Sequence, residues 1–159
     1  MTAPEITPSK APLTVPLPTA DELARQVADA MFNSDTAARV TLGVEIVSVG
    51  EGRAQLRMPV AQRHLNGHDI CHGGFIFTLA DTAFAYACNS RNRNTVAAAA
   101  SIDFLRPARK GDVLTGEAQE QTLQGRHGIY DVKVTNQTGD TIAMFRGKSA
   151  QIPGAIVPG

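Results

Sequence analysis

The 159-residue chain predicts an α+β domain, in which an antiparallel sheet of five to six strands wraps around one long central helix. Three observations predict it. From Phe75 to Cys88 the sequence is apolar almost all round, broken only by Thr78, Asp81, Thr82 and Tyr86, and a helix without a polar face is normally a buried one. In RAQLRMPV, Ala54, Leu56, Met58 and Val60 alternate with Arg53, Gln55, Arg57 and Pro59, the period of a half-buried strand. Downstream, β-prone runs are separated by short glycine-bearing breaks, as antiparallel strands joined by hairpins require.

Taken in order, residues 1–20 hold five of the nine prolines, at Pro4, Pro8, Pro12, Pro16 and Pro18. That density opposes both helix and ladder pairing, so 1–20 is read as a disordered tail and 21–153 as one folded domain. With 43% hydrophobic residues the chain is long enough for one core and short for two. TADELARQVADAMF has Asp21 and Glu22 in its first turn and Leu23, Val27, Ala30 and Met31 on one face, an amphipathic helix covering the core or a partner subunit. Leu42 to Val49 pairs with 53–60 through Gly50-Glu51-Gly52. After the central helix and a polar break, NSRNRN, strands are expected over 96–105, 113–122, 128–135 and 141–152, punctuated by Gly111-Asp112, Gly125 and Gly139-Asp140. A sheet of this kind hides an inserted apolar helix by curling round it. That arrangement is the hotdog fold.

Charge and cysteines restrict the function. Fifteen basic residues balance fifteen acidic ones, so no global field draws the chain to nucleic acid or to an anionic membrane. No run reaches the length of a membrane span, and the N-terminus lacks a secretion signal. Cys71 and Cys88 are too few for a disulfide framework, which points to a reducing, cytoplasmic setting.

Within the central helix Asp81 is the lone formal charge, and a carboxylate among apolar neighbours is costly unless paired or used. It is either a catalytic group or a structural carboxylate satisfied by backbone donors or a basic partner. Gly73 and Gly74 open the helix, leaving its first N–H donors and partial positive charge accessible to an anionic oxygen; close packing is the alternative reason for two glycines there. His64, His68 and His72 recur every four residues, but Gly67 and Gly73 interrupt any continuous helix that would present three imidazoles, so no metal site is expected. Cys71 beside His72 is read as a loop thiol, since sequence neighbours usually point apart. Arg91, Arg93, Arg106, Arg109 and Lys110 are either a solvated surface or contacts for phosphate.

The runs LNGHDICHGG, LADTAFAYACNS and SIDFLRPARKGD closely resemble the hotdog-fold acyl-CoA thioesterases, and among them the phenylacetate-degradation type, over roughly residues 22–152. The specific part is the combination of Asn66, His72 six residues later and Asp81 nine beyond that, followed by IDFLRP. The resemblance implies an acyl-CoA substrate, phenylacetyl-CoA or a ring-hydroxylated relative, with Asp81 as catalytic carboxylate, Gly73 N–H polarising the thioester carbonyl, and Asn66 and His72 flanking the site. It implies no metal, no prosthetic group, and a homodimer with active sites at the interface, paired into a dimer of dimers. Expected substrate contacts are Gly74, Thr82, Phe84, Arg91, Arg93 and Arg106, with Phe75 and Tyr86 as further pocket walls. A hydroxyl found near the carboxylate in some relatives is replaced by the run Ala97–Ala100, leaving Thr82 or Ser101 for that task. The competing readings are a hotdog dehydratase or hydratase, disfavoured because no histidine lies on the helix beside Asp81, and a non-hydrolytic acyl-CoA-binding protein.

Overall fold

A computed structural model describes residues 17–158; residues 1–16, most of the expected tail, lie outside them. The first helix, α1 (Ala20–Ser34), begins with a capping box: Thr19 Oγ1 accepts from Glu22 N, and the Glu22 carboxylate accepts from Thr19 N. This reciprocal pairing satisfies two otherwise orphaned donors. Its inward face carries Ala24, Val27 and Ala28, and Asp21 ties it down by accepting from Glu51 N at 3.0 Å and pairing with Arg53.

The first strand starts later than the sequence suggests. Ala37–Leu42 forms a π-helical turn, held by the Asp35 carboxylate accepting from Ala38 N at 2.9 Å and closed by Gly43 at φ 67. Leu42 therefore ends a helical turn. The strands are β1 (Glu45–Gly50), β2 (Arg53–Pro59), β3 (Thr95–Phe104), β4 (Val113–Gln124), β5 (His127–Thr135) and β6 (Thr141–Gln151), with the central helix α2 (Gly73–Asn89) between β2 and β3.

All six join one antiparallel sheet in the order β1-β2-β4-β5-β6-β3. The chain leaves β2, crosses the concave face as α2, and re-enters at the far edge as β3. Ile76, Leu79, Ala80, Ala83 and Ala87 of α2 join Leu56, Met58, Leu114, Val132 and Phe145 of the sheet in one core, and each large side chain so buried contributes about 2 kcal/mol. Gly147 admits Phe84: a Cβ there would sit 2.8 Å from the Phe84 ring.

Two surfaces of this fold are left open. Gly74, Thr78, Asp81 and Ala85 form a partly exposed stripe down α2, at the 3–4 residue spacing of a single helix face. Edge strand β3 is exposed along nearly its whole length, with Val96 45%, Phe104 52% and the following Leu105 57% accessible. No helix among the described residues is long and apolar enough to cross a membrane.

Candidate active site

The loop before α2 sets the donor. Asn66 N donates to Ile70 O, Leu65 bridges to Cys71, Cys71 N donates to Ala108 O and His72 N to His64 O, so residues 64–72 close into a small hairpin against the 107–109 turn. His72, extended at φ −60 and ψ 132, is the N-cap, and its Nδ1 accepts from Gly74 N at 2.9 Å. Of the two expected donors, Gly74 N–H is thus already used. Gly73 N–H has no acceptor among the described residues, and it stands at the positive end of a 17-residue helix, where an oxyanion is favoured.

Gly73 borders an open, largely apolar cleft of about 470 Å³, lined also by Asn66, Ile76, Phe104, Leu105 and Arg106. Asn66 Oδ1 accepts from His68 N at 2.9 Å, leaving its NH₂ without a protein partner among the described residues. Arg106 is tied to Asp140 at the rim. Phe104 lies over Gly73, so that a Cβ there would fall 2.9 Å from the ring's Cζ. Cys71 also lines the cleft, but burial pushes its thiol up to about 11, which keeps it protonated and poorly nucleophilic at neutral pH.

Asp81 lies two turns down α2, half-buried and outside the lining of that cleft. Its carboxylate makes no hydrogen bond or ion pair among the described residues, and desolvation raises its pKa above the ordinary value. An unpaired, desolvated carboxylate is the profile of a working acid or base. Thr82 Oγ1 donates to Thr78 O at 2.7 Å and is buried, so its hydroxyl serves the helix backbone. Ser101 is exposed on β3.

Several expected contacts belong elsewhere. Phe84 is 1% accessible and packs edge-on against Tyr130 at 5.5 Å; Tyr86 is equally buried, and Phe75 sits between the rings of His64 and His72. The first two are core on different sides of α2, being two residues apart: Phe84 looks into the sheet at Tyr130 and Phe145, and Tyr86 lies toward Asp35 at the end of α1. Arg91 is engaged by Glu120 at 2.6 Å and Glu51 at 3.2 Å, while Tyr130 Oη donates to Glu120 at 2.7 Å. The acids raise the guanidinium's pKa, and the group clamps the C-terminal end of α2 to the sheet. Arg91→Met is expected to lower stability by about 2 kcal/mol, because Glu120 then stays half-buried without its cation, with KM unchanged; chemical denaturation and steady-state kinetics check both. Arg93 remains exposed, beside Arg126 in a separate small cavity. The three spaced histidines diverge: His64 is buried, His68 is on the exposed loop and His72 caps α2. No group of three or more His, Cys, Asp or Glu positioned for a metal is found among the described residues.

A curled antiparallel sheet holding one helix, with a free donor at the helix start and a desolvated carboxylate along it, defines a hotdog-fold enzyme suited to acyl transfer. Residues 68–143 match the thioesterase superfamily, and the chain belongs to that superfamily, in its hotdog branch. It is 50% identical over 133 residues, 84% of this chain and 94% of the other, to the acyl-coenzyme A thioesterase PaaI of Escherichia coli. The solved structure of E. coli PaaI, a protein of the phenylacetic acid degradation operon, superposes with a TM-score of 0.84 at 48% identity, over 86% of this chain and 99% of that one. A Streptococcus mutans protein solved with acetyl-CoA bound is 26% identical, with a TM-score of 0.68 over 70% and 90% of the two chains.

Proposed function

We propose that the chain is an acyl-CoA thioesterase that releases a carboxylic acid and free coenzyme A, acting on phenylacetyl-CoA or a ring-hydroxylated relative in aromatic-acid breakdown. The observation that carries this is the free Gly73 N–H at the edge of an apolar cleft, on the same helix as the unpaired, desolvated Asp81. The likeness to PaaI supports the substrate class, and Phe104 and Leu105 give the cleft an aromatic and aliphatic wall.

The chemistry follows from these two groups. The thioester oxygen accepts from Gly73 N–H, which strengthens as the carbonyl becomes an oxyanion. Asp81 either removes a proton from a water whose oxygen attacks the carbonyl carbon, or attacks that carbon itself to give an anhydride that water cleaves. In both routes the C–S bond breaks and the thiolate of coenzyme A leaves as the thiol after taking up a proton. Single turnover in ¹⁸O-water identifies the second route when water opens the anhydride at the Asp81 carbon: label then enters the Asp81 carboxylate, which the first route never labels.

We further propose a homodimer, paired into a dimer of dimers, with each site shared between two chains. Gly73 and Asp81 are eight residues apart, a rise of about 12 Å, too far to act on one carbonyl carbon from a single helix. The partly exposed stripe bearing Asp81 and the unprotected β3 edge, ten residues without proline, are surfaces that a second copy would cover. Two free, buried cysteines suit the reducing cytoplasm.

Thiol release measured over a panel of acyl-CoAs tests the activity. The highest kcat/KM is expected for phenylacetyl-type thioesters; binding with no thiol released from any of them would make the chain a non-hydrolytic binder.

A further inference from the structure

We infer that His64 is the positioning residue behind the Gly73 donor. Of the His64, His68, His72 series it is the one whose side chain is buried. Its side chain is fully buried and lies 5.0 Å, ring centre to ring centre, from Phe75 in the first turn of α2. Ala61 N donates to Nδ1 at 3.1 Å, which places the proton of the neutral ring on Nε2, where it meets Thr41 O at 3.2 Å. Thr41 O also accepts from Arg63 Nε at 3.1 Å, so the bond without a substitute is the one from Ala61.

That bond matters because of what His64 carries on its backbone. Its carbonyl accepts from His72 N at 2.8 Å, and His72 immediately precedes Gly73 while capping α2 through its own ring. A chain of fixed contacts thus runs from the π-helical turn at Thr41, through the His64 ring and carbonyl, to the peptide whose N–H stabilises the oxyanion. Displacement of that peptide by a few tenths of an ångström weakens a hydrogen bond made in the transition state more than one made to the ground-state carbonyl. His64 touches neither substrate nor reacting atoms; it aims the group that does.

This inference rests on the thioesterase reading for its kinetic consequence, though not for its structural one. His64→Leu, which keeps volume and removes both ring bonds, is expected to lower kcat about tenfold per folded molecule at a temperature well below its melting point, with KM changed less than twofold. The Gly73 amide resonance in a ¹⁵N-correlated spectrum should shift. His64→Asn, whose Oδ1 reproduces the acceptor for Ala61 N, should recover most of kcat, whereas His64→Gln should not. If the Leu variant fails to fold, the Asn and Gln pair carries the test, and equal kcat in those two overturns the inference. So does an unmoved Gly73 resonance, or a lowered melting temperature with unchanged kcat, either of which makes His64 an ordinary core residue. Should the wild-type chain release no thiol from any acyl-CoA, the thioesterase reading fails while the spectrum still decides whether His64 holds the Gly73 peptide.

Discussion

Asp81→Asn is expected to remove about a thousandfold or more of turnover while leaving the fold and substrate affinity intact, because the amide keeps the shape of the carboxylate but is neither nucleophile nor base. The variant should also be more stable than the wild type at neutral pH. Burial raises the Asp81 pKa, so between the ordinary carboxylate value and the raised one the folded chain retains a proton that the unfolded chain has released. Stability therefore falls as pH rises through that window, and above it the whole cost of burying the charge persists. The asparagine has no such cost. The melting-temperature advantage of the variant should be present at pH 7 and disappear below the ordinary carboxylate range, and the acid limb of wild-type kcat/KM should lie above that range. Thiol release, thermal melts across pH, and mass spectrometry to exclude back-deamidation provide the measurements. Wild-type turnover by intact Asp81→Asn protein sinks the assignment.

The gain in stability and the loss of activity have one cause. A carboxylate with no hydrogen bond among the described residues, on an otherwise apolar helix, is a local conflict between folding and function, and such conflicts concentrate at working sites. That conflict is why Asp81 stands out in the sequence. The central helix was legible for the same reason, since the only way to hide a helix apolar on every side is to wrap it, and the period-two strands and glycine breaks supply the wrapping. The sequence is silent where tertiary partners decide. Phe84 and Phe104 are both apolar, yet Phe84 is core because Gly147 opposite it has no side chain, and Phe104 is exposed on an edge strand. Arg91 reads as part of a basic surface because its acids, Glu51 and Glu120, are 29 or more residues away in the chain. Leu42 reads as the start of a strand, and the Asp35 cap on Ala38 N makes it the end of a helical turn instead. His64 was masked by its spacing from His68 and His72, and its bonds to Ala61 and Thr41 could not be read from that spacing.

The shared site gives an all-or-none outcome. If each oxyanion donor works with the partner's carboxylate, two inactive variants restore activity when mixed. Asp81→Asn is one; Gly73→Pro is the other. Proline suits this position structurally, because Gly73 is the first residue of α2 and proline is well tolerated there. The preceding His72 already has the extended backbone at ψ 132 that a following proline demands. The ring's contact is with the far end of Phe104, whose side chain is exposed enough to swing aside. What the substitution removes is the N–H, and losing one oxyanion donor lowers kcat roughly 10²–10³-fold. Refolded together, the chains give heterodimers in which one site carries both lesions and the other carries neither. With statistical mixing, half the dimers are hetero and half of their sites are intact, so about a quarter of wild-type activity should return. A site built within one chain predicts none, since every chain then carries a lesion. Each variant is first shown to fold and associate alone, and heterodimers are counted by mass spectrometry of differently tagged chains; heterodimers formed without activity overturn the shared site.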